Sequence, residues 1–247
     1  MTIISFLDDI FTLSNKLRLF IHFASVLLMT YQLEVFTLPW YYLLITFIII
    51  VGVINAYNFM DGINGITACY SLSVGILLSI VNYKLMFIDQ DLLTYSMLGL
   101  IVFSFFNFRM KAKCFAGDVG SVAIAYILLF ALGALIIKTG NLIYILFLAI
   151  YGLDAVWTII RRLLRRENIF EAHRSHLYQF LANEAKVNKL LVSFVYGLLQ
   201  FIVGYLVIQY ADAAGHSQLI FAIVLLSCLS VVYMILKTYI VKKYAIR

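Results

Sequence analysis

Asp8 and Asp9 adjoin each other, Asn58, Asp61 and Asn64 recur at every third residue, and Asp118 lies in Gly117-Asp118-Val119-Gly120-Ser121. Carboxylates and amides beside long apolar segments are costly, and a ligand or metal is the usual reason they are kept. Two carboxylates held close do not both ionise freely, so one titrates high unless a cation neutralises it. Lys16 and Arg18 follow the Asp8-Asp9 pair and could do so, although a solvated helix entry has the same sequence. The spacing of Asn58, Asp61 and Asn64 makes one polar stripe if the segment is helical, either a ligand face or a seam against neighbouring helices. Gly62 and Gly65 in the same turn allow close backbone approach. Asp118 stands at the mouth of an apolar run, where free N–H groups favour a phosphate that a carboxylate repels. A divalent cation resolves that conflict, since Mg²⁺ takes one or two carboxylates together with substrate phosphates. Phe115, in the same loop, is placed either to stack on a base or to serve as an interfacial aromatic. His173, Arg174 and His176 offer two imidazoles and a guanidinium suited to gripping a diphosphate. Asp154 lies inside an apolar run, and an arginine or lysine at the membrane mouth is its expected partner.

The elements that position these groups follow from composition. With 64% hydrophobic residues, 12% charged residues and a mean hydropathy of +1.02, the chain departs from any ordinary soluble domain. The expectation is an all-α, polytopic membrane helix bundle, one domain over residues 1–247. Runs long enough to cross a hydrocarbon core of about 30 Å fall near 17–34, 39–57, 66–83, 92–108, 119–137, 141–160, 190–210 and 217–236. Pro39 suits the first turn of the second span.

Basic residues sort the connections into two sets. Lys16 and Arg18, the 109–113 loop, a basic loop over 161–189 and the C-terminal lysines form one set; Lys84 and Lys138 alone fall in the other. The positive-inside rule then puts both termini and all the polar motifs on the cytoplasmic side. Nothing resembling a cleavable leader precedes Asp8, so a transmembrane helix is the expected insertion signal. The net charge of +6 is read as topology rather than as affinity for nucleic acid, because no nucleic-acid or nucleotide-binding spacing accompanies it. Cys69, Cys114 and Cys228 are widely separated and read as reduced thiols.

Taken together and in order, Phe6-Leu7-Asp8-Asp9, Asn55-Ala56-Tyr57-Asn58-Phe59-Met60-Asp61-Gly62-Ile63-Asn64-Gly65, Phe115-Ala116-Gly117-Asp118-Val119-Gly120-Ser121, Arg161-Arg162 and Ala172-His173-Arg174-Ser175-His176-Leu177-Tyr178-Gln179 resemble the polyprenyl-phosphate N-acetylhexosamine-1-phosphate transferases, the glycosyltransferase family 4 membrane enzymes. The last motif is similar to the branch that initiates O-antigen and related surface polysaccharides, more than to the peptidoglycan branch. The resemblance implies attack of undecaprenyl phosphate on the β-phosphate of a UDP-N-acetylhexosamine, releasing UMP at the inner membrane of a bacterium. It further implies that Asp118 holds Mg²⁺, with Mn²⁺ as the alternative, and that Asp8 and Asp9 activate or position the lipid phosphate. Asn58, Asp61 and Asn64 would lie on the nucleotide side, Phe115 against uracil, and His173, Arg174 and His176 on the phosphates. A homodimer is an assembly it leaves open.

Asn64 stands where many members carry a second aspartate, and Thr12 where many carry a third acid after the pair. Members also usually carry about three further helices, each of roughly 20 residues, ahead of the Asp-Asp motif. Two other classes compete with an active transferase. One is a shortened, non-catalytic remnant of such an enzyme. The other is a transporter, whose polar groups belong near the bilayer centre rather than at one surface.

Overall fold

The computed structural model describes residues 6–7, 11, 15–168 and 174–244. Among them are eight long α-helices and no strand: α1 (Asn15–Gln32), α2 (Trp40–Met60), α3 (Ile66–Leu85), α4 (Gln90–Asn107), α5 (Gly117–Thr139), α6 (Ala149–Leu164), α7 (Lys189–Tyr210) and α8 (Gly215–Lys243). Each falls on one of the apolar runs of the sequence. Six segments are long and apolar enough to cross a membrane: α2, α3, α5, Leu142–Leu164, α7 and α8. The protein is therefore a multi-pass, all-α membrane protein. The count of eight spans is met in full by helices but not by apolar length. Among the described residues of α1 the apolar stretch runs over Phe20–Gln32, and α4 opens on Gln90 and Asp91.

α3 lies at the centre, packed most extensively against α7 and α4, while α2 packs on α5 and α1. In lipid, helices associate through close packing, which small residues permit. Gly197 of α7 shows this, since a Cβ there would stand 2.8 Å from the Cys69 carbonyl oxygen of α3. Leu219, Ile223 and Ile235 of α8 face outward, as lipid contact requires. All three cysteines are free thiols.

The span expected over 141–160 is not one continuous α-helix. It begins as a 3-10 helix, Leu142–Leu148, and becomes α-helical at Ala149. Changing helix type inside a bilayer orphans backbone groups, and each must find a partner within the protein. Gln200 of α7 supplies it: its Oε1 accepts from the Ile150 N–H at 3.0 Å and its Nε2 donates to the Leu146 carbonyl at 3.1 Å. Tyr70 also donates to Gln200 Oε1, and its ring stacks on Tyr151 with centroids 3.5 Å apart. With Tyr57, these buried tyrosines tie α2, α3 and α6 together.

The connections separate into two ends. At one end the 61–65 turn, the 108–116 loop and the segment after Arg174 touch one another, through the contacts described below. At the other, Lys138 donates to the Met86 carbonyl at 3.1 Å and Asn141 to the Ala211 carbonyl at 2.9 Å.

Candidate active site

α2 ends at Met60, and the chain turns through Asp61 to Gly65 before α3 begins. Gly65, with φ of 84°, takes a left-handed conformation that a side chain resists. The single stripe expected of Asn58, Asp61 and Asn64 is therefore broken, because α2 ends at Met60 and Asn64 lies in the turn that leads to the Gly65 start of α3. Asn58 stays on the last turn of α2 and accepts from the Ser121 hydroxyl at 3.1 Å. Asp61 accepts from Thr67 Oγ1 at 2.6 Å through one oxygen and from the Gly117 N–H at 3.2 Å through the other. Both groups thus face the first turn of α5, whose second residue is Asp118.

Burial raises the Asp61 carboxyl above its ordinary range; the bonds from Thr67 and Gly117 oppose the shift, and Asp118 adds to it. Two carboxylates beside a helix N-terminus, one of them already strained towards its neutral form, make a donor set that a divalent cation would relieve. No cluster of three or more metal-ligating side chains occurs among the described residues, and a two-carboxylate set leaves the remaining positions to phosphate and water.

Asn64 points elsewhere. Its Nδ2 donates to the carbonyls of Arg109 and Met110, at 2.8 and 3.2 Å, and its own carbonyl accepts from Ser193 at 2.8 Å. Both side-chain partners are acceptors, so this position calls for a donor that an aspartate lacks. Asn107, buried, completes the bracket by accepting from the Gly65 N–H at 2.7 Å and donating to the Cys114 carbonyl at 2.8 Å.

Phe115 is exposed on the rim of a largely apolar groove of about 430 Å³ that runs between α3, α4 and α5 and contains Thr67, Leu100, Gly120 and Ile127. Arg174 is exposed, whereas His176 is buried. The imidazole Nδ1 lies 3.4 Å from Asp154. Asp154 is met directly by His176, by the Tyr196 and Tyr233 hydroxyls and by backbone N–H groups of the following loop, and a lysine of the kind expected at the membrane mouth, Lys237, attracts it from slightly further away. Lys237 stands one hydroxyl further out, donating to Thr158 and Tyr233. The basic loop folds back onto the membrane helix through the Leu177 and Tyr178 N–H groups. Asp8, Asp9 and His173 lie outside the described residues, as does Thr12.

Sequence reasoning missed Thr67, Asn107 and Ser193, and it named Tyr178 as part of a motif without foreseeing its contact with Phe59. A polar residue at the end of an apolar run is the signal that marks Asn107, and a hydroxyl in the first turn after Gly65 marks Thr67. Ser193 carries none, because its partner is a distant backbone carbonyl.

Fold and site together define a multi-pass membrane protein that gathers amides, half-buried carboxylates and a helix N-terminus at one end of its helix bundle. The sequence pattern described as glycosyl transferase family 4 matches residues 1–153. The chain belongs to that family. It is 27% identical over 198 residues, 72% of its length, to a Bacillus subtilis protein named "Probable undecaprenyl-phosphate N-acetylglucosaminyl 1-phosphate transferase", covering 54% of that protein. To the undecaprenyl-phosphate alpha-N-acetylglucosaminyl 1-phosphate transferase of Thermotoga maritima it is 27% identical over 208 residues, 78% of this chain and 63% of the relative. A phospho-N-acetylmuramoyl-pentapeptide-transferase of Kosmotoga olearia is 33% identical over 126 residues, 50% of this chain and 37% of the relative. The chain thus spans about half the length of the curated relatives it matches.

Proposed function

We propose that the protein transfers an N-acetylhexosamine-1-phosphate from a UDP-sugar to undecaprenyl phosphate, releasing UMP and starting an O-antigen or other surface polysaccharide. The observation that carries the reading is the meeting of Asp61 with the Gly117 N–H beside Asp118, in a chain of this family. The names of the relatives support the reaction class, and those that align over most of the chain are N-acetylglucosaminyl 1-phosphate transferases. The pentapeptide transferase aligns over half of it.

In this reading Asp118, with Asp61 beside it, holds Mg²⁺ (or Mn²⁺), which when bound neutralises charge on the diphosphate. The N–H groups at the start of α5 favour an anion at the same point. Asn58, fixed by Ser121, presents its amide to the nucleotide. Arg174 approaches the phosphates from the basic loop, with His173 beside it in sequence, and Asp8 and Asp9 position the lipid phosphate. His176 takes a different part from the one its motif implies, since it is enclosed against Asp154 and supports the loop from beneath. Phe115 bounds the apolar groove on one side and is open to a base on the other. The chemistry asks mainly for positioning and charge neutralisation. By the positive-inside rule the site faces the cytoplasm at a bacterial inner membrane, with both termini on that side.

The test uses membranes carrying the chain, supplied with UDP-GlcNAc, undecaprenyl phosphate and Mg²⁺, and measures UMP. Lipid-dependent release that Asp118→Asn reduces by about 100-fold is expected. Release that survives Asp118→Asn intact removes the metal assignment, and no release from the unaltered chain removes the reaction.

A further inference from the structure

Asp154 is almost wholly buried, at 1% exposure, yet no step above uses it. Its carboxylate is a hub. One oxygen accepts from the Leu177 N–H at 3.0 Å, the Tyr233 hydroxyl at 3.0 Å and Thr158 at 3.3 Å, and lies 3.4 Å from His176 Nδ1. The other accepts from Tyr196 at 2.9 Å and, at 3.5 Å, from the Tyr178 N–H. Three helices and the entry of the basic loop therefore converge on one side chain.

The loop it holds touches the candidate site directly. Tyr178 donates its hydroxyl to the Phe59 carbonyl at 2.9 Å, two residues before Asp61. Gly62 makes room for it, since a Cβ there would lie 2.2 Å from the Tyr178 oxygen. Within the loop, Gln179 accepts from the His176 N–H at 3.2 Å, closing the short helical segment Leu177–Gln179 into one unit. A connected path runs from the carboxylate of α6, through His176 to Tyr178, to the turn that carries Asp61.

We infer that Asp154 is a positioning residue: it clasps the His176 to Tyr178 segment to α6 and so sets Tyr178, and the Arg174 end of the basic loop, against the Asp61 turn. The kinetic part rests on the transferase reading above; the clasp itself does not. An asparagine cannot replace this group, because its amide nitrogen would face donors on one side of the hub. Tyr178→Phe leaves the clasp closed and removes only its contact with α2.

The experiment has two arms on the full chain in membranes. In the first, trypsin cleavage after Arg174 is measured relative to cleavage after Lys113, an exposed residue of a neighbouring loop. Asp154→Asn is expected to raise that ratio by about tenfold, with Asp154→Glu recovering part of the protection, and Tyr178→Phe leaving it near the unaltered value. In the second arm, KM for UDP-GlcNAc is expected to rise about tenfold in Asp154→Asn and less in Tyr178→Phe, with kcat changed less than KM in both. An unchanged cleavage ratio overturns the clasp. Equal acceleration at both sites reduces Asp154 to a folding residue and also overturns it. A raised ratio with unaltered KM overturns the link to the site. If the unaltered chain releases no UMP, the transferase reading fails while the cleavage arm still decides the clasp.

Discussion

Asn64→Asp puts a carboxylate where the fold uses an amide, and the structure predicts that it damages the protein. The amide donates to the Arg109 and Met110 carbonyls, at 2.8 and 3.2 Å, and a carboxylate has nothing to donate. The Arg109 bond is partly buried and the Met110 bond exposed, so the two losses are unequal. A lost hydrogen bond costs about 1 kcal/mol, and a partly buried carbonyl left facing an anion costs about 1–2 kcal/mol more. The sum of about 2–3 kcal/mol corresponds to a Tm lowered by roughly 4–12 °C in a chain of this size. Asn64→Ala removes the donor without adding a charge, and its penalty should be about half as large. Both are measured by thermal unfolding of the purified protein in detergent, beside UMP release in membranes. The reasoning fails if the aspartate variant melts at or above the parent temperature, or if alanine proves the more harmful of the two.

Three further outcomes follow from the geometry. The raised Asp61 carboxyl means that the folded state binds a proton more readily than the unfolded chain, so this group favours folding as pH falls through its folded pKa and opposes folding above it. Added Mg²⁺ should therefore raise Tm more at about pH 7.5 than at about pH 5, and Asp61→Asn should abolish the difference; calorimetry at the two pH values checks it. Gly62→Ala places a methyl against the Tyr178 hydroxyl and should cost about 1–3 kcal/mol of stability, with the loss reduced when Tyr178→Phe is added, which a double-mutant cycle measures. Gly197→Val drives a side chain into the Cys69 carbonyl, and should separate α3 from α7 and lower the yield of folded protein in detergent, read by size-exclusion chromatography.

The bilayer makes the fold of this chain legible in its sequence. A lipid-facing helix needs an unbroken apolar run, so the eight runs and the polar breaks between them marked the eight helices closely. The same constraint limits how a helix can depart from regularity. The break at Leu148 is invisible in its own segment because the residue that satisfies it, Gln200, lies in another helix. The two less apolar helices, α1 and α4, show where an apolar run and an apolar length part company.

Residue chemistry alone determined that Asp61 and Asp118 needed a partner, that Asn58 belonged with them, and that Asp154 could not stand alone in an apolar helix. Tertiary structure decided which partner each one has. It set Asp61 on the N-terminus of α5, turned Asn64 away to bracket a loop, and buried His176 against Asp154 rather than leaving it beside Arg174. The physical reason is that a carboxylate or amide states its demand for donors, acceptors or charge locally, while the groups that meet it come from wherever helix packing brings a second segment within about 3 Å.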